Sequence, residues 1–220
     1  MPQIFPKWAN QVPRILLISA FLGLTGVVLF FWYFGSNKYL EVGYAPVQPV
    51  AYSHLTHAGK LGIDCRYCHT SVETASAATI PPTQTCMNCH SQIWPDTSSV
   101  KGKMLEPVRQ SWTTGNPIEW VRVHNLPDYA HFNHAAHVNV GVSCVSCHGR
   151  VDRMEVVTQS EPLSMGWCLD CHRNPAPNLR PKAEVTNLAW TPGPEQPAFA
   201  AEQIKKLNIN PPVNCNGCHY

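Results

Sequence analysis

Every cysteine in this 220-residue chain falls in one of five Cys-x-x-Cys-His motifs: Cys65–His69, Cys86–His90, Cys144–His148, Cys168–His172 and Cys215–His219. This spacing is the attachment signature of c-type haem. On a helical turn, cysteines at i and i+3 and the histidine at i+4 share one face. Two thiols can then form thioethers to the haem vinyl groups while the imidazole meets the iron from below. A thioredoxin-like dithiol needs no following histidine, and a zinc ribbon needs paired motifs, whereas five is odd. With eleven histidines in the chain, five such placements by chance have a probability on the order of 10⁻⁷.

Five covalently bound haem c groups set what the rest of the chain can do. Each macrocycle is a large flat apolar plate, and five of them replace the side-chain core that a globular domain of this length would need. Twenty prolines and thirteen glycines argue for many loops and few long elements. The expected fold is mostly irregular with short α-helices. The formal charge of +2 misleads, because roughly two propionates per haem add about ten carboxylates, partly offset by ferric iron. A basic surface for nucleic acid therefore has no support.

From Ile15 to Phe34 run twenty residues without a charge, ILLISAFLGLTGVVLFFWYF. As a helix they span about 30 Å, the thickness of a hydrocarbon core. A cleaved signal peptide would have a shorter apolar region ending in small residues. Here the run leads instead into Gly35-Ser36-Asn37-Lys38. The reading is an uncleaved, single-pass signal-anchor. Lys7 and Arg14 before it place the N-terminus in the cytoplasm and the haem domain outside the bacterial inner membrane. Haem attachment to such motifs takes place on that same side.

The segment SHLTHAGKLGIDCRYCH, Ser53–His69, parallels NHAAHVNVGVSCVSCH, Asn133–His148. Each has His-x-x-His, a turn ending in apolar-Gly-apolar, and a haem motif; TCMNCH and WCLDCH then follow as second motifs. The offsets are 80 residues between His54 and His134, 79 between Cys65 and Cys144, and 82 between Cys86 and Cys168. A near-constant period predicts two equivalent dihaem units. The expected organisation is a tail and anchor over 1–40, a first dihaem repeat and connector over 41–120, and a second repeat over 121–173. A proline-rich arm over 174–220 carries the fifth motif. Ser91–Trp120 reads as mostly loop. Within Arg173–Asn214, which holds eight prolines, the one helical candidate is Ala198–Leu207.

The proximal ligands on this reading are His69, His90, His148, His172 and His219, and the thioether positions are Cys65, Cys68, Cys86, Cys89, Cys144, Cys147, Cys168, Cys171, Cys215 and Cys218. Six histidines remain: His54, His57, His124, His131, His134 and His137. The paired His54/His57 and His134/His137 are the expected distal ligands. Spacing suggests His54 for the motif at Cys65 and His134 for that at Cys144, with His57 and His137 reaching neighbouring haems. His124 lies outside the duplication, as the fifth motif does, and is the next candidate. His131 reads as a loop histidine. Met165 and Met154 are further options, since a thioether is a normal axial ligand that raises the potential. Met165, three residues before Cys168, would have to serve a haem other than that one.

Paired upstream histidines followed by haem motifs resemble class III multihaem cytochromes. The stretches WVRVHNLPDYAHFNHAAHVNVGVSCVSCHG (Trp120–Gly149) and MGWCLDCHRNP (Met165–Pro175), with the single anchor and five motifs, resemble the pentahaem membrane-anchored subunit of bacterial alternative complex III. That resemblance implies a quinol-oxidising respiratory complex with an iron–sulfur subunit, polytopic quinol-binding subunits and another c-type cytochrome. Electrons would pass from iron–sulfur clusters through low-spin haems to a downstream cytochrome c or oxidase, with catalysis in other subunits. Many such relatives carry an aromatic residue where this chain has His131. The alternative is a stand-alone membrane-anchored multihaem quinol dehydrogenase, which would need an ionisable residue near the first haem; Glu41, Asp64 and Lys60 could serve, but nothing in the sequence marks them above ordinary surface charges. A catalytic multihaem reductase would need one open iron position, against which the surplus of histidines speaks.

Overall fold

The computed structural model describes residues 4–35, 41–93 and 95–220. The expected boundary at residue 40 and the Ser36–Lys38 stretch lie outside those residues. Helix α1, Val12–Phe34, begins three residues before the apolar run because Pro13 sits in its first turn, where its missing N–H costs nothing. None of its residues is buried. The most apolar 18 residues within Lys7–Phe34 have a mean hydropathy of 2.4, so by length and composition the helix can cross a membrane.

Beyond α1 the described residues form short helices joined by irregular segments. These are α2 (Cys65–Cys68), α3 (Thr83–His90), α4 (Val100–Met104), α5 (Glu106–Thr114), α6 (His134–Asn139), α7 (Val145–His148), α8 (Met165–Arg173) and α9 (Gln196–Leu207). The sole β-contact among the described residues is an antiparallel bridge between Val142 and Leu179. Side-chain caps set three of the helix starts that matter most. Asp64 accepts from the Arg66 amide ahead of α2, Asn133 from Ala136 ahead of α6, and Ser164 from Trp167 ahead of α8.

The connector read as mostly loop carries α4 and α5. Its Pro107 occupies the first turn of α5 rather than breaking it, Ser99 caps α4, and Gly115 ends α5 at φ 73°. Amphipathic packing then secures α5: Val108 is buried with Val50 and Met87, flanked by Leu105, Ile118 and Trp120. The Thr83 and Ser111 hydroxyls join at 2.6 Å and tie α5 to α3.

The proline-rich arm packs on the second repeat and supplies much of the buried side-chain surface, with Leu179, Val185, Leu188 and Ala200 all buried. The Ser143 hydroxyl donates to the Val185 carbonyl at 2.6 Å, and the Arg180 amide donates to the Gly141 carbonyl at 3.0 Å. Gln196 donates its side-chain amide to the Ala176 and Leu179 carbonyls, which docks the start of α9. On the other side, the Gly43 and Gln159 amides bond the Gln159 and Tyr44 carbonyls, so the chain at 43–44 is stitched to the segment that leads into α8.

Candidate haem sites

The ten cysteines are free thiols, and each pair lies on or beside a helical turn. In four of the motifs the histidine is fixed from behind by its own ring. His69 Nδ1 bonds the Thr79 carbonyl at 2.9 Å, His90 that of Ile93 at 2.9 Å, His172 that of Pro212 at 2.7 Å and His219 that of Tyr129 at 2.8 Å. A carbonyl can only accept, so Nδ1 carries the proton and Nε2 keeps its lone pair for a metal. Three upstream histidines share the arrangement: His57 Nδ1 to Ser53 (2.9 Å), His134 Nδ1 to Ser76 (2.9 Å) and His137 Nδ1 to Asn133 (2.7 Å).

Three upstream rings face motif rings. The centroids of His57 and His90 are 6.3 Å apart, those of His134 and His148 6.4 Å, and those of His137 and His172 6.0 Å. Two metal–imidazole bonds of about 2.0–2.1 Å, plus about 1.2 Å from each nitrogen to its ring centre, give roughly 6.4 Å. The gaps match one iron between two imidazoles.

Both repeats present their histidines in the same way. Tyr52 lies edge-on to His54 (4.9 Å, 87°) and stacked on His57 (4.4 Å, 20°); Phe132 lies edge-on to His134 (4.7 Å, 87°) and tilted over His137 (4.5 Å, 30°). The full repeat unit is therefore aromatic-x-His-x-x-His, and the aromatic position was legible in both copies of the sequence. Its ring sets the angle between the two imidazoles of each pair.

Burial decides the charge of these rings. His148 is pushed down to about 3 and His54 to about 4, by burial first and by neighbouring histidines second. His124 and His137 are lowered as well, again chiefly by burial. Neutral imidazole is the form that ligates metal. His54 Nδ1 and His124 Nε2 are buried with no hydrogen-bond partner. His124 is not beside the fifth motif; it packs edge-on against His148 at 4.3 Å. His131 is turned the other way. Its Nε2 donates to the Tyr220 carbonyl at 2.6 Å and its ring stacks on Tyr220 at 4.2 Å.

The motifs also touch one another in sequence-scrambled order. Asn88, inside the second motif, donates to the Tyr67 hydroxyl, inside the first, at 3.1 Å. A hydrogen bond with Cys144, then burial, holds the Cys65 thiol protonated and joins the first motif to the third. Burial pushes the Cys147 thiol up to about 12, with Cys171 and Cys168 adding to it, so the third motif adjoins the fourth. The Cys168 thiol is raised by burial and by nearby Cys218, and His172 bonds Pro212 just ahead of Cys215. Among the described residues these contacts link the motifs in the order Cys86, Cys65, Cys144, Cys168, Cys215.

These residues fit haem. They offer paired thiols, imidazoles at the required spacing, and buried ring nitrogens that lack partners. Arg180 adds a buried guanidinium whose Nε is unpartnered, held over Trp190 at 4.7 Å, and Cys144 lies within its electrostatic reach. A propionate is the natural acceptor for it.

Site and fold together are of the kind a multihaem c-type cytochrome would present to its haems. Residues 130–220 match the family described as cytochrome c7 and related cytochrome c. The chain is 31% identical over 129 residues to the multihaem cytochrome c subunit of menaquinone reductase from Nitratidesulfovibrio vulgaris, covering 58% of this chain and 57% of that protein. It is 28% identical over 180 residues to a nine-haem cytochrome c from Desulfovibrio desulfuricans, covering 77% of this chain and 45% of that one. The chain thus spans about half the length of the curated relatives it matches.

Proposed function

We propose that this chain is a pentahaem electron-transfer subunit of a membrane quinol-oxidising respiratory complex of the alternative complex III kind. The observation that carries the reading is the single row of five motifs, three of them with histidine rings 6.0–6.4 Å apart. Haem iron supplies reversible one-electron chemistry at each position. The chain's residues hold and orient it: ten cysteines attach, and His69, His90, His148, His172 and His219 ligate from the proximal side. His57, His134 and His137 close the sites of His90, His148 and His172. Equivalence of His54 with His134 gives His54 to the site of His69. Each His-x-x-His turn thereby serves two adjacent sites and fixes their separation within a dihaem unit. Arg180 would neutralise a propionate at the centre of the row.

In this reading α1 anchors the subunit with its N-terminus cytoplasmic and its haem domain periplasmic. An iron–sulfur protein, polytopic quinol-binding subunits and another c-type cytochrome complete the complex, and catalysis lies in those other subunits. A second reading reverses the current, delivering electrons to a quinone. It is favoured by the name of the N. vulgaris relative, a menaquinone reductase subunit.

Purification from native membranes tests both. Co-elution with an iron–sulfur protein and polytopic subunits, with quinol oxidation only in the assembly, supports the first reading. Quinone reduction by the assembly with no quinol oxidation supports the second. A lone chain that oxidises quinol would overturn both in favour of a stand-alone quinol dehydrogenase.

A further inference from the structure

We propose that residues 129–133 splint the last three sites of the row, with His131 as the positioning residue of the Cys215–His219 site. The inference rests on the pentahaem reading above.

Five consecutive residues, Tyr129-Ala130-His131-Phe132-Asn133, lead into α6 outside any helix or strand. Two of them are spent on the histidine pair that follows. Phe132 lies against the His134 and His137 rings. The Asn133 carbonyl accepts from His137 Nδ1 at 2.7 Å, while its side chain caps α6. The first repeat has the same devices, with Tyr52 against His54 and His57 and the Ser53 carbonyl accepting from His57 Nδ1.

Tyr129 and His131 serve the fifth motif instead. The Tyr129 carbonyl accepts from His219 Nδ1 at 2.8 Å. The His131 amide donates to the Cys218 carbonyl at 2.8 Å, and its Nε2 donates to the Tyr220 carbonyl at 2.6 Å. Its ring stacks on Tyr220, with centroids 4.2 Å and planes 22° apart. Residues 218, 219 and 220 are thus each held by one short segment, on both sides of the ligand. The duplication does not require this. One position ahead of the aromatic residue, the first repeat has Ala51, whose methyl group can neither donate nor stack. The histidine belongs to the copy on which the arm packs.

A second tie runs from the other end. His172 Nδ1 of the fourth motif donates to the Pro212 carbonyl at 2.7 Å, and Gly217 of the fifth packs so closely on the Pro212 ring that a Cβ there has no room. The fourth site leans on the arm that carries the fifth motif, and the fifth motif leans on the segment that orients His137. Outer hydrogen bonds of this kind fix the plane of a ligand imidazole and the access of water to its metal. Releasing His131 frees the chain on either side of His219, and greater solvent access favours ferric iron and lowers the potential.

The test is a redox titration of the haem-loaded full chain within its membrane complex, followed in the Soret region. His131→Ala should move one of the five one-electron steps to lower potential and leave the other four in place. Tyr220→Ala should move the same step. His131→Phe, which keeps a ring to stack and loses the donor, should move it by less. In all three, five haems should stay attached by pyridine haemochrome and every haem should stay low-spin. A high-spin haem in His131→Ala would make His131 a ligand and overturn the positioning role. So would a titration unchanged in both alanine variants, or a shift spread over several steps. Fewer than five haems in wild type would instead bring down the pentahaem reading.

Discussion

Removing the His134 ring tests the ligand geometry most directly. Its centroid lies 6.4 Å from that of His148 with the planes 12° apart, which leaves room for one iron and two short bonds. His134→Ala takes away one of those bonds and leaves Cys144, Cys147 and His148 in place. One site of five becomes five-coordinate, so about one-fifth of the low-spin intensity should convert to high spin with haem content unchanged. The fold should survive. The backbone amides of His134 and Ala135 still bond the Ser76 and Ala75 carbonyls, and the side chain's own bond to Ser76 is worth about 1 kcal/mol. Low-temperature electron paramagnetic resonance of the oxidised protein reads the conversion, and His131→Ala, whose Nε2 is spent on Tyr220, is the matched control with no expected change. A fully low-spin spectrum in His134→Ala with five haems bound would refute the pairing.

Other positions give further outcomes. Arg180→Met should lower the midpoint potential of one haem in a redox titration, because losing a buried positive charge favours ferric iron. Gly141 has φ 98° and its neighbour across the chain is the Arg180 carbonyl, so Gly141→Ala should destabilise the domain by about 2–4 kcal/mol, measured by urea unfolding. The Arg66 side chain holds the Asp64 carboxyl down to about 2, helped by Thr186. A depressed carboxyl stabilises the fold above its unfolded value of about 3.9 and loses that contribution as pH falls through the folded one. Asp64→Asn should therefore be less stable than wild type near neutrality, and the two should converge between about pH 4 and 2 when acid unfolding is followed by the Soret band.

The haem-attachment pattern was legible in the residues alone, because Cys-x-x-Cys-His is local: five consecutive residues on one turn bring two thiols and an imidazole together. The long apolar helix was legible for a similar reason, since twenty uncharged residues need no knowledge of a neighbour. The paired histidines of the duplication also read directly, whereas the aromatic residue ahead of each pair came to notice only through its ring contacts. Closure of the sites was not legible. The ring that faces a motif histidine comes from another segment, so His57 meets His90 and His137 meets His172 only through the way distant segments pack. His124 shows the limit well: sequence position grouped it with the fifth motif, and packing put it against His148. The connector failed for a related reason, since Pro107 breaks a helix interior and starts a helix equally well, and only burial of Val108 against Met87 shows which applies. The order of the row, second motif before first and then third to fifth, likewise came from contacts between distant segments. Local covalent chemistry is written in the spacing of neighbouring residues, whereas distances between haems depend on which surfaces meet, and that only the tertiary structure decides.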